Sequence, residues 1–163
     1  MAALEPGTIA PPFRLEDLEG KVHSLEELRQ GDLLLLVFYH SECPTCGLSM
    51  PFIGNLARAV RSERMKIWGV SQDARKETIK FAGIKGLEMP IHIDAEPYPV
   101  SEAYGLTNVP SLFLIDSTHT VIDQCVGFTK DDFVRLAQAA ARNANAPVPD
   151  IFAGQEVPSM AYG

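Results

Sequence analysis

The order of predicted elements places this chain in the α/β class, as a mixed sheet held between helices. Three observations lead there. Residues 33–39 form an unbroken apolar run of Leu, Val, Phe and Tyr, the signature of a strand buried on both faces. Strand-like and helix-like segments alternate from there to Ile115, as parallel strands joined by crossover helices require. Two strand-like runs then follow each other directly, 111–115 and 120–126, across a turn at 116–119. That spacing predicts an antiparallel hairpin.

The elements follow in order. Residues 5–13 are rich in proline and cannot be helical. Short strands are expected at 13–15 and 21–23 around the acidic turn 16–20, an N-terminal hairpin ahead of the main sheet. Ser24 and Glu27 have capping-box spacing and open a short helix that Gly31 ends. After the 33–39 strand a helical pattern runs from Cys43 to about Arg64, with Pro51 inside it as a kink. Strand 65–71 comes next, then a helix over 74–84 with Asp73 as its N-cap. Residues 90–93 read as a strand, and 99–104 as a short helix capped by Gly105. Beyond the hairpin, Thr129 and Asp132 have capping-box spacing for a last helix reaching about Arg142. Residues 143–163, dominated by Asn, Ala, Pro and Gly, lack periodicity and read as a tail, lying on the body or loose.

At 163 residues the chain fits one domain with a full core. Its net charge of −7 argues against nucleic acid or an anionic membrane as the main partner. The longest apolar run, 33–39, is far too short to span a bilayer. The first residues show neither a basic start nor an apolar core of a signal peptide, so a cytoplasmic location is expected. Three cysteines are too few for a disulfide-stapled scaffold.

Two of those cysteines carry the chemistry. Cys43-Pro44-Thr45-Cys46 sits where a buried strand gives way to a helix, the place for a redox dithiol. The unpaired N–H groups and positive end of a helix N-terminus stabilise a thiolate, and the thiolate attacks disulfides. Cys43, at the helix start, is the expected nucleophile, and Cys46 lies one turn in. Glu42 opposes a negative sulfur there, and His40 favours it when protonated. Zinc would need two further ligands from Cys125 and the four histidines, and no second C-x-x-C or H-x-x-H exists; no metal or cofactor is expected. Cys125 reads as a small buried hydrophobe outside turnover, Trp68 as core, and the charges in 73–88 as a solvated face.

Four segments, taken together, resemble the redoxin branch of the thioredoxin superfamily, which groups AhpC/TSA-type proteins with TlpA/ResA-like thiol-disulfide oxidoreductases. They are the lead-in 7–15 with Gly20 and Ser24; 38–51 with its C-x-x-C and Pro51; 68–73; and 104–116. The resemblance covers about residues 5–142. It implies a three-layer α/β/α sandwich over 1–142, followed by the tail 143–163. It also implies a cis bond before Pro110, which would turn the Val109 backbone toward the dithiol, ready for an incoming peptide. Pro44 and Thr45, between the cysteines, would contact substrate or tune the thiols.

The chain departs from the family's patterns at three positions. Glu42 replaces the aromatic residue usual before the first cysteine. Ser49 stands where ResA-like proteins carry an acid. Val37 stands where thioredoxins bury an aspartate. No inherited proton acceptor remains at the dithiol, which leaves His40 or Glu42 to substitute. The expected function is disulfide exchange on a protein or small-molecule disulfide, with an external thiol reductant such as thioredoxin or glutathione. The alternative is a peroxiredoxin-like antioxidant peroxidase, with Cys43 peroxidatic and Cys46 resolving. The positions that peroxiredoxins fill with Pro, Thr and Arg hold Leu36, His40 and Pro110 here, which ranks the peroxidase second.

Overall fold

A computed structural model describes residues 3–162. Met1 and Ala2 of the N-terminal stretch and Gly163 of the tail lie outside the described residues. A seven-stranded mixed sheet runs through the middle in the order β2-β1-β5-β4-β3-β6-β7. Strand β3 (Leu33–Tyr39) pairs in parallel with β4 (Met65–Ser71) and antiparallel with β6 (Ser111–Asp116). Strand β5 (Ile91–Ile93) continues the parallel side. Strand β7 (Val121–Val126) closes the other edge as the expected hairpin partner of β6. The N-terminal hairpin, β1 (Leu15–Asp17) with β2 (Val22–His23), joins antiparallel to β5.

Strand β3 is buried on both faces because its side chains alternate between two cores. Leu35, Val37 and Tyr39 enter the core under the helices α1 (Pro44–Ala59) and α4 (Lys130–Ala144). Leu34, Leu36 and Phe38 enter the second core, with Phe13, Trp68 and Tyr104. Helix α1 buries Cys46, Met50 and Ile53, which recur at helical spacing. Helix α4 buries Phe133, Leu136, Ala137, Ala140 and Ala141 on one face. Helix α2 (Arg75–Lys85) ends on Gly86, whose φ of 65° closes its last turn. The short helix α3 (Pro99–Ala103) is capped by Tyr104, and Gly105 follows it at φ 68°. Among the described residues no helix is long and apolar enough to cross a membrane.

The structure corrects several local expectations. Ser24 forms its capping box with Glu27, but over a single 3-10 turn, Leu25–Glu27. Helix α1 stops at Ala59, short of Arg64, because Ser62 and Met65 already bridge into β4. Asp73 does not cap α2. Ala74 holds that position, and the Asp73 carboxylate accepts the Ser41 N–H at 3.0 Å instead. Thr129 makes no side-chain cap on α4, since its backbone belongs to strand β8 (Phe128–Thr129). The tail lies on the body. Ile151 and Phe152 are buried in the helix-side core, and β9 (Met160–Ala161) pairs antiparallel with β8.

Candidate active site

The site forms at the C-terminal ends of β3 and β4, which run side by side with Tyr39 opposite Ser71. Just past Tyr39 the chain turns through His40, Ser41 and Glu42 into α1. Cys43 is the N-cap of that helix, in extended backbone geometry, and makes no side-chain cap. Pro44 fills the first helical position, where its missing N–H is no loss and its fixed φ suits the helix. The Cys43 N–H donates to the His40 carbonyl at 3.2 Å, and the Cys43 carbonyl accepts from Gly47 N–H at 3.0 Å. The half-buried Cys43 thiol donates to the Val109 carbonyl at 3.4 Å. Val109 precedes the buried Pro110 through a cis peptide bond.

Cys46 lies one turn into α1 and is fully buried. Burial pushes its thiol well above the usual range. A backbone hydrogen bond from His40 partly offsets this, while Cys43 and the Asp73 charge add to it. The two thiols are thus divided by exposure: one meets the surface at a helix N-terminus, and the other is held neutral beneath it. Thr45, between them, is buried and donates its hydroxyl to the Tyr162 carbonyl of the tail. The Ser49 hydroxyl donates to the Thr45 carbonyl at 2.7 Å, a bond within its own helix. Ser49 and the apolar Val37 therefore bring no acid to the thiols.

Asp73 is the carboxylate that sequence reasoning missed. It is 7% exposed. Oδ2 accepts the Ser41 N–H at 3.0 Å, and Oδ1 lies 3.3 Å from His40 Nδ1. His40 Nδ1 also accepts the Glu42 N–H at 3.1 Å. Glu42 itself is exposed. A signal for Asp73 was present. Parallel neighbours end together, so the residues just beyond Tyr39 and Ser71 must meet.

A surface cavity of about 460 Å³ opens over Cys43, lined by His40, Pro44, Gln72 and the segment 106–109. It brings together His40, Cys43, Pro44 and Val109 of the expected residues; Gln72 and Leu106 to Asn108 are additions. Larger depressions of about 730 and 620 Å³ lie elsewhere and contain no thiol. Cys125 is not at the site. It faces the helix-side core, and its thiol donates to the Gly127 carbonyl at 3.3 Å. Among the described residues no group of three or more His, Cys, Asp or Glu could hold a metal ion.

A sheet of this order, with one accessible and one buried thiol at the N-terminus of α1, defines a thioredoxin-like thiol-disulfide oxidoreductase. The chain belongs to the AhpC/TSA family, whose match spans residues 6–124. It is 36% identical over 132 residues to the thiol-disulfide oxidoreductase ResA of Geobacillus thermodenitrificans, covering 80% of this chain and 75% of that one. Its fold is similar to a thiol:disulfide interchange protein of the thioredoxin family from Chlorobium tepidum, with TM-score 0.66 and 25% identity over 85% of this chain and 99% of that one. It is also similar to the thioredoxin domain of a thiol-disulfide oxidoreductase from Bacteroides vulgatus, with TM-score 0.72 and 23% identity over 84% and 98% of the two chains.

Proposed function

We propose that the protein reduces protein disulfides through Cys43 and Cys46, with Cys43 as the attacking atom. The Cys43 thiolate attacks one sulfur of the substrate disulfide. A bond forms between Cys43 and that sulfur, and the other substrate sulfur leaves as a thiol after taking a proton. Cys46 then loses its proton and attacks the Cys43 sulfur. The Cys43–Cys46 disulfide forms and the second substrate thiol is released. Two electrons and two protons pass from the dithiol to the substrate. The Val109 carbonyl faces this chemistry as a backbone acceptor for an extended substrate. In a reducing cytoplasm, the compartment this reading proposes, an external thiol such as glutathione or reduced thioredoxin restores the dithiol.

The observation that carries the reading is the division of the thiols: Cys43 opens onto the cavity while Cys46 is fully buried one turn behind it. A peroxidase would need donors for the departing peroxide oxygen. Of the three positions that peroxiredoxins use, Leu36 is buried in the sheet and Pro110 is buried and apolar, no arginine lines the cavity, and His40 is the one of the three with a polar side chain there. The test is reduction of insulin by the purified protein with dithiothreitol, beside hydrogen peroxide consumption. Insulin reduction is expected, with Cys46→Ser trapping a Cys43 mixed disulfide visible in the intact mass. Peroxide turnover without insulin reduction would overturn the reading.

A further inference from the structure

We infer that His40 and Asp73 form a proton-carrying dyad for the dithiol, with the His40 imidazolium protonating the thiolate that leaves when Cys43 attacks. The inference rests on the disulfide-reductase reading and names who handles the proton in its first step.

Of the described residues lining the cavity over Cys43, only His40 and Cys43 itself carry an ionisable side chain. Any proton delivered there by a cavity side chain must therefore come from His40. The ring is built to hold a proton at one atom. Asp73 Oδ1 lies 3.3 Å from Nδ1, so an Nδ1–H has a carboxylate to donate to. That pairing leaves Nε2 as the nitrogen that gains and loses a proton, the division of labour between imidazole and carboxylate seen in acid–base dyads generally. In the dyad Nδ1 keeps its proton on Asp73 throughout; the Glu42 N–H, 3.1 Å from Nδ1, serves only the other tautomer, with Nδ1 bare.

Asp73 is itself fixed. Its Oδ2 accepts the Ser41 N–H at 3.0 Å, and Ser71 Oγ, 3.0 Å from the Asp73 N–H, lies 3.4 Å from the same oxygen. Asp73 does not line the cavity. It is a positioning residue that acts through His40. The proton balance closes without another reactant. The Cys43 thiol gives its proton to Nε2, leaving a thiolate beside an imidazolium. The thiolate attacks, the substrate S–S bond breaks, and Nε2 returns the proton to the departing sulfur. The other charged group on the loop, Glu42, is exposed.

The test uses two disulfides that differ in how much their leaving thiol needs a proton. Oxidised glutathione releases a basic thiolate. Ellman's reagent releases an acidic thiolate that leaves unaided. Single-turnover rates of the reduced protein with each give a ratio, glutathione disulfide over Ellman's reagent. In His40→Gln and in Asp73→Asn that ratio is expected to fall about tenfold or more, a conservative share of the range for general acid catalysis. Asp73→Asn keeps an oxygen for the Ser41 N–H, and Asp73→Glu is expected to restore part of the ratio. A purely structural role would slow both reactions together and leave the ratio within about twofold of wild type; that outcome overturns the dyad. Wild-type protein that reduces neither disulfide would instead overturn the reductase reading.

Discussion

Replacing Cys125 with alanine separates a thiol that matters for stability from the pair that matters for chemistry. Cys125 is 2% exposed. Burial, with a smaller contribution from Asp132, pushes its thiol up to about 12 from an ordinary value of 9.0. A group whose folded value is raised stabilises the fold below the unfolded value and loses that stabilisation as pH climbs toward the folded one. Between pH 8 and 10 the unfolded chain releases about one proton from this position while the folded chain keeps it. At 1.36 kcal/mol per pH unit, the native state should lose about 1.4 kcal/mol on that account. Cys46, also buried, contributes alike to wild type and variant and cancels. Urea unfolding of both proteins under reducing conditions at pH 8 and 10 measures the effect. Wild type should lose about 1.4 kcal/mol more than Cys125→Ala over that interval. Equal losses would show that the thiol meets water in the folded protein and would refute the packing argument. Insulin reduction by the variant should match wild type.

Two further outcomes test the frame around the site. Phe152→Ala removes a ring that packs edge-on against Phe52 at 4.9 Å; calorimetry should show a loss of about 3 kcal/mol, or some 6–12 °C in Tm, and an unchanged Tm would mean the tail is not docked. His23 is held between Glu27 and Asp17, 3.0 and 2.9 Å away. Burial opposes its charge, but those two hydrogen bonds raise its affinity for a proton above that of an ordinary imidazole. The stability advantage of wild type over His23→Gln should then be full below pH 6.5 and shrink as pH rises above it, which melting curves at pH 6 and 8.5 would show; an advantage that grows with pH would refute the clamp.

The strands and the thiol pair were legible in the sequence because each rests on a local signal. The run 33–39 could only be a doubly buried strand, and C-x-x-C at its end places one sulfur outside and one inside a helix. Asp73 was misread because a local rule, an acid just before a helix, competed with a long-range one. Its carboxylate turns across to the β3–α1 loop, where the Ser41 N–H needs an acceptor. The tail was illegible for a related reason. Its anchors, Ile151 and Phe152, are two apolar residues without periodicity, and only the hollow beside Phe52 and Phe128 gives them meaning. Thr129 shows the same limit: capping-box spacing was present, yet pairing with Met160 claimed its backbone.

The alternation along β3 has a consequence for how the molecule opens. Three of its side chains belong to one core and three to the other. Neither layer can separate from the sheet without exposing residues of this strand, so the two layers should melt as one cooperative unit. Amide hydrogens of 34–38 should exchange only through global unfolding, whereas those of the tail strand should exchange through local fraying. The dithiol is therefore fastened to the least yielding segment of the chain. Substrates must come to Cys43 by fitting the surface as it stands, because the strand behind it has no partial opening to offer.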